Sequence, residues 1–127
     1  MPMTYSIEVD EKLVYIVGSG RLTDEEMADC VRDLRSDPML QPDMNVLSDM
    51  RAIEMGFTPN GIRKMLDIMV STEDRRSEAY AALVVARDVT FGMARMFQLR
   101  ASEHVSPHFE VFRDLEEARD WLEEHRA

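Results

Sequence analysis

Several features that mark common classes of protein are missing from this 127-residue sequence. Cys30 is the single cysteine, so an internal disulfide is impossible and nothing indicates an oxidising compartment. The longest apolar run, from Ala79 to Ala86, is far shorter than the roughly 20 residues needed to cross a bilayer. The first residues contain neither the basic nor the apolar segment of a secretory signal. We therefore expect a cytoplasmic protein without an integral membrane span.

The short motifs of common catalytic and nucleotide-binding sites are also missing. No glycine-rich phosphate loop and no Gly-x-Ser-x-Gly nucleophile turn occurs in the sequence. His104 and His108 are four residues apart, but the intervening Pro107 makes the helical spacing of a zinc pair improbable. Cys30 falls on the apolar stripe of a predicted helix, where a thiol is normally buried and unreactive. We therefore predict no metal, no cofactor and no enzymatic activity.

Acidic side chains dominate the chain but are unevenly distributed. The 25 Asp and Glu residues exceed the 15 Lys and Arg residues, and the net charge of −10 disfavours nucleic acid as a partner. Residues 1–50 carry a net charge of −7 and residues 110–127 carry −4, whereas residues 51–109 carry +1. The middle of the chain is therefore where we expect an acidic partner surface or an anionic ligand to bind.

The first part of the sequence predicts a β-hairpin followed by a helix. Residues 5–10 alternate apolar and polar side chains, and a continuous β-rich run at 13–17 follows a short polar turn. Gly18-Ser19-Gly20 is expected to end this second strand. Thr23 then begins a helix with a capping box and carboxylates in its first turn, and the helix ends near residues 36–38.

Further signals complete the order β-β-α-β-α-β-α-β-α. Thr58 and Pro59 begin the second helix as its N-cap and first residue. The other predicted elements are strands at 45–50, 79–86 and 109–112, and helices at about 91–101 and after Asp114. Because strands and helices alternate after the hairpin, right-handed crossovers and a largely parallel sheet are expected. The prediction is an α/β fold with a mixed, mainly parallel five-stranded sheet and four helices, in one domain over residues 1–127.

Methionine is unusually abundant, with 11 residues in the chain. Most of them fall between residues 39 and 96, around the predicted central strands and the two middle helices. Because methionine is flexible and polarisable, this enrichment suits a core that adapts to an apolar guest or to a partner's side chains. A merely methionine-rich core explains the same count. Exposure of Met65 and Met69 would favour the adaptable surface.

Three segments carry a family resemblance: the strand 46–49 with the helix start 58–62, the stretch 82–86 leading into 91–97, and the terminal segment 111–122. They resemble the STAS superfamily, and within it the small stand-alone bacterial proteins similar to SpoIIAA and described as STAS/SEC14-like. The resemblance implies a SpoIIAA-like β-α superhelix. It also implies non-enzymatic roles, namely anti-sigma-factor antagonism, regulation of partner proteins, or binding of lipid and other apolar molecules in the SEC14-like relatives.

The phosphorylated serine of the antagonist proteins lies at a helix start in an Asp-Ser-Ser-Gly-Leu pattern. Aligning Gly61-Ile62 with Gly-Leu places Asn60 at the phosphorylated position and Thr58 at the aspartate. Asn60 has no hydroxyl to accept a phosphate. Thr58 is then the candidate for phosphorylation, although its position is better explained by helix capping.

The predicted function is non-enzymatic binding of a regulatory protein, or self-association as a homodimer, through the helices around 58–69 and 91–100. The alternative is binding of a lipid or another small apolar molecule, in which Arg87, Arg95 or Arg100 meets an anionic head group. An enzyme of unknown type is the third interpretation. The candidate binding residues are Thr58, Asn60, Arg63, Lys64, Met65, Met69, Arg87, Met93, Arg95 and Met96.

Overall fold

The structure is a computed structural model that describes residues 2–55, 58–72, 79–104 and 108–126, without the side chains of residues 55 and 101–104. Within these ranges nine elements follow the predicted order. They are β1 (Met3–Glu8), β2 (Leu13–Arg21), α1 (Asp24–Ser36), β3 (Asn45–Met55), α2 (Pro59–Ser71), β4 (Tyr80–Val84), α3 (Asp88–His104), β5 (His108–Phe112) and α4 (Leu115–Glu124).

The strands form one mixed sheet in the described part of the chain, in the order β1-β2-β3-β4-β5. β1 pairs with β2 antiparallel, and every later neighbour is parallel. Each βαβ crossover steps to the next strand in the same direction, so crossovers of one hand place α1, α2 and α3 on the same face. The α4 helix covers the opposite face. The predicted mixed, mainly parallel α/β fold is confirmed.

Alternate residues of each strand point to the two helix layers. Val14, Ile16 and Leu83 point toward α1, α2 and α3, and they share one buried cluster with Met27 of α1. Leu13, Tyr15 and Leu47, and with them Ala82 and Val84, point toward α4, where Ala118 and Leu122 meet them. The helix caps expected at Thr23, Thr58 and Asp114 are all present, and Thr23 forms the full capping box with Glu26.

The predicted end of β2 at Gly18-Ser19-Gly20 is wrong, because the strand continues to Arg21. The two glycines serve a bulged stretch of β2, where its register with β3 shifts. A Cβ on Gly18 would lie 2.5 Å from Sδ of Met50, so glycine lets Met50 pack directly beneath the strand. Gly20 has φ +67°, a conformation that glycine adopts without strain.

Two other elements are longer than predicted. β3 runs past the expected end at Met50 as far as Met55, because its extension pairs with the continued part of β2. α3 begins at Asp88, three residues before the expected start, and includes the β-branched pair Val89-Thr90. β4 is shorter than the predicted run and covers Tyr80–Val84.

Candidate functional site

Thr58 links the start of α2 to α1. Its hydroxyl donates a hydrogen bond to the Asp24 carboxylate, with Oγ1 2.8 Å from Oδ2, and accepts one from the Gly61 amide at 3.0 Å. A Cβ on Gly61 would lie 2.9 Å from Cγ of Asp24, so a larger residue there would displace the Asp24 carboxylate. Asn60 is exposed one residue before that glycine. The Thr58 hydroxyl is therefore engaged as donor and as acceptor, and a phosphate on it would face the Asp24 carboxylate.

The two basic residues of α2 occupy different environments. Lys64 is half-buried and forms an ion pair with Glu25 of α1. This hydrogen bond, together with the positive charge, lowers the pKa of Glu25. Arg63 is exposed to solvent. Lys64 thus joins α1 to α2, and Arg63 is the basic residue of the pair that α2 presents outward.

The methionines of α2 face inward, so the exposure of Met65 and Met69 expected for an adaptable surface is not observed. Met69 is buried beside Ile62 and Phe97, and the half-buried Met65 packs against the same cluster. Met65 also lines a small cavity of about 60 Å³ between the sheet and the three helices. Apart from Ser48, its lining is apolar and includes Met3, Ile16, Met27, Val31, Met50 and Phe109.

Helix α3 is apolar on its inward and on its outward side. Ala94 and Phe97 are buried under the helix, and Met93 packs there too. On the outward side Val89 is 69% exposed, Met96 41% and Leu99 62%. Together with the exposed Gly92 these residues repeat every three or four positions, which places them on one stripe of the helix. We call Val89, Gly92, Met96 and Leu99 the α3 stripe.

Of the α3 stripe, Met96 is among the binding residues predicted from the sequence, whereas Val89 and Leu99 are not. The missed signal was present in the sequence, because the spacing 89, 92, 96, 99 is itself a helical period. The helix carries two such apolar faces. Periodicity alone does not tell which of the two faces the core.

The arginines near α3 have different partners. Arg87 donates from Nη1 to the backbone oxygen of Glu54, 2.7 Å away, at the end of β3. Arg95 is exposed on α3 and lies 3.6 Å from the Glu110 carboxylate of β5. Arg100 is exposed near the end of α3. Arg87 thus braces the sheet, whereas Arg95 and Arg100 border the outward surface of α3.

On the other face of the sheet, aromatic rings are stacked around Tyr80. The rings of His108 and His125 lie 4.5 and 4.3 Å from the Tyr80 ring, both in stacked geometry, and Trp121 meets Tyr80 edge-on at 5.7 Å. His108 thus stacks on Tyr80 while its side chain stays exposed. The side chain of His104 lies outside the described residues.

Burial dominates the chemistry of the thiol. It raises the pKa of Cys30 to about 11, with a further contribution from Asp33, which opposes formation of the reactive thiolate.

Among the described residues, no group of three or more His, Cys, Asp or Glu side chains is arranged to hold a metal ion. No helix in the same ranges is long and apolar enough to span a membrane.

Comparisons with known proteins identify the family of the chain and the fold that its structure resembles. A family model described as SpoIIAA-like matches residues 13–123, so the chain belongs to the SpoIIAA-like family. The structure resembles an uncharacterized protein with a SpoIIAA-like fold from Shewanella loihica, at a TM-score of 0.61 and 18% identity, over 94% of this chain and 93% of that one. That likeness concerns the fold alone. No curated protein matches the sequence.

Proposed function

We propose that this SpoIIAA-like chain is a non-enzymatic domain that binds another protein through the outward surface of α3. The observation that carries the proposal is the α3 stripe. Single exposed apolar residues are normal on any protein, but Val89, Met96 and Leu99 lie on the same side of one helix. Methionine within such a set adapts to the contours of a partner.

The charges beside the stripe indicate what the partner presents. Arg95 and Arg100 are exposed on the same helix, in a chain whose net charge is −10. A partner surface with an apolar centre and at least one carboxylate at its rim complements them, and such rim charges mainly set specificity and the rate of association. The buried thiol with its raised pKa supports the non-enzymatic part of the proposal.

The experiment compares charged substitutions on two helices of the same layer. A tagged chain carrying Met96→Glu is expected to lose a specific partner that the unchanged chain retains in pull-downs. Val70→Glu is the matched control, because Val70 is 54% exposed on α2 and does not belong to the stripe. Retention of the partner by Met96→Glu, or its equal loss with Val70→Glu, would contradict the proposed surface.

A charge reversal tests whether α2 contributes to the same surface. Arg63→Glu is the suitable change, because Arg63 is exposed. A change at Lys64 also breaks the ion pair with Glu25 and loosens α1 from α2. Loss of the partner on Arg63→Glu, with unchanged thermal unfolding, would place α2 in the interface. Full retention would restrict the interface to α3.

The cavity favours a second candidate function, binding of a small apolar molecule. Its volume of about 60 Å³ is well below the roughly 300–1,000 Å³ of typical ligand pockets, so a lipid bound in this cavity would require the helices to separate. Met27, Met50 and Met65 in its lining are suited to such a rearrangement. A rise in the melting temperature with benzene, or with a fatty acid, would support this candidate. No rise with either compound would contradict it.

A further inference from the structure

The α3 stripe has the same spacing when it is read from either end. Its four positions are separated by three, four and three residues, so the pattern is symmetric about the level of residue 94. Ala94 itself is fully buried on the opposite side of the helix, so the centre of the stripe points directly away from the core. A surface with this symmetry can meet a copy of itself with the helices antiparallel.

We propose that the α3 stripe binds the α3 stripe of a second copy of this chain, antiparallel, about a two-fold axis at the level of residue 94. This inference rests on the proposed function, because it assigns a partner to the same surface. Two-fold interfaces use one patch twice and therefore require a self-complementary patch. In this arrangement Val89 of one copy lies level with Leu99 of the other, and Gly92 lies level with Met96.

Gly92 supplies the space that a neighbouring helix needs. A Cβ on Gly92 meets no atom within 4 Å, so the surface above it is open. Glycine inside a helix is destabilising relative to alanine, and nothing within the described chain requires glycine at this position. A notch at Gly92 level with the flexible side chain of Met96 gives each copy one depression and one projection. The antiparallel pair fills both depressions.

The charges at the two ends of the stripe favour the same orientation. Asp88 begins α3 with a side chain 91% exposed, and Arg100 is exposed near the other end. Antiparallel packing places the Asp88 end of each helix beside the Arg100 end of the other, whereas parallel packing places like charges together. Asp88 also pairs with Arg113 at 2.7 Å within its own chain. Because Asp88 already has this partner, we expect it to influence the orientation of the two helices more than the strength of the dimer.

The expected dimer is weak. One helix packed against its copy falls below the roughly 800 Å² per partner that stable interfaces bury. The monomer and dimer should therefore exchange, and the dimer fraction should rise with protein concentration.

Sedimentation velocity over a range of concentrations tests the dimer. The unchanged chain should pass from monomer to dimer. Met96→Glu should raise the dissociation constant at least about tenfold, because it places one carboxylate of each copy beside the two-fold axis where two apolar side chains would otherwise meet. Val70→Glu should leave the dissociation constant unchanged. A chain that stays monomeric at all concentrations, or a dimer that survives Met96→Glu, would overturn the proposal.

Disulfide trapping tests the orientation. Val89→Cys and Leu99→Cys are made in separate chains, and Cys30 does not interfere because it is buried. When the two variants are mixed under a mild oxidant, the antiparallel arrangement predicts faster cross-linking between the two variants than within either. Faster cross-linking of like with like would indicate parallel helices and overturn the arrangement.

The same variants separate this inference from the proposed function. If the chain is monomeric but Met96→Glu still abolishes capture of a different protein, the dimer is wrong and the binding surface stands. If the dimer forms and Met96→Glu dissociates it, both are supported. If Met96→Glu affects neither association, both are contradicted.

Discussion

The two faces of the sheet are packed with different kinds of side chain. On the α4 side, Trp121 lies 5.7 Å from the rings of Tyr80 and Phe112. On the three-helix side, Met27 and Met50 pack among aliphatic residues and border a cavity. Aromatic rings prefer definite mutual angles, whereas an unbranched thioether fills irregular space. The α4 side thus holds one arrangement, and the three-helix side, which also bears the exposed stripe, retains room to rearrange.

The largest effect is expected on the α4 side. Trp121→Ala removes ring contacts with Tyr80, Phe112 and His125, and should lower the free energy of unfolding by about 3 kcal/mol. Urea unfolding followed by far-UV circular dichroism measures the change. Glu124→Ala, at an exposed position of the same helix, is the control and should change it by less than about 0.5 kcal/mol. Equal effects of the two changes would show that the rings do not hold α4.

On the three-helix side, two glycines should respond oppositely to the same substitution. Gly61→Ala forces Asp24 away from Thr58 and should lower the free energy of unfolding by about 1–2 kcal/mol. Gly92→Ala meets open space and should raise it by about 1 kcal/mol. Thermal unfolding at low protein concentration compares the two. No loss at Gly61 would refute the proposed role of the Thr58–Asp24 contact in joining α1 to α2, and a loss at Gly92 would contradict the open space above that residue.

Two valine-to-isoleucine substitutions, each of which adds one methylene, compare the packing of the two faces directly. Val31→Ile extends into the cavity and should raise the free energy of unfolding by up to about 0.8 kcal/mol. Val84→Ile, at a fully buried position facing α4, should lower it by about 1 kcal/mol through overpacking. Urea denaturation of both variants gives the signs. If the free energy of unfolding changed in the same direction in both variants, the two faces would not differ in packing as described.

The last effect, which appears only at high pH, concerns a tyrosine at the edge of the three-helix side. The Tyr5 hydroxyl donates to Asp37 at 2.7 Å, and this bond, with burial, raises the pKa of Tyr5 to about 12. The folded state therefore holds the phenol proton more tightly than the unfolded state. The resulting stability is complete below about pH 10 and is lost as the pH rises toward about 12. Tyr5→Phe should remove this pH dependence and the last phase of the tyrosinate absorbance titration. An unchanged titration would contradict the assignment.

Most of the fold could be predicted from local patterns. The caps at Thr23, Thr58 and Asp114 mark three helix starts, because a hydroxyl or carboxylate before an apolar stripe satisfies free backbone amides. The misjudged boundaries depend on partners distant in sequence. β2 passes through Gly18 because Met50 lies beneath it, and neither residue alone indicates that contact.

The candidate site was only partly predictable, because the sequence does not tell which apolar residues face outward. Met65 and Met96 are both methionines that directly follow a basic residue on neighbouring helices, yet Met65 lines the cavity and Met96 is 41% exposed. Their orientations follow from how α2 and α3 pack on the sheet. The binding role of both residues stays a prediction.

The strand order has a consequence for how the chain acquires its structure. Because β1 to β5 lie side by side in the order in which they are synthesised, each new strand pairs with the one just completed. Such neighbour-to-neighbour contacts favour rapid folding and allow the sheet to grow from its first hairpin as the chain leaves the ribosome. The α4 face is the exception. Tyr15 and Leu47 can pair early, but their apolar side chains stay uncovered until Leu122 of α4 has been synthesised. During that interval this face of the sheet is the apolar surface that a chaperone would bind.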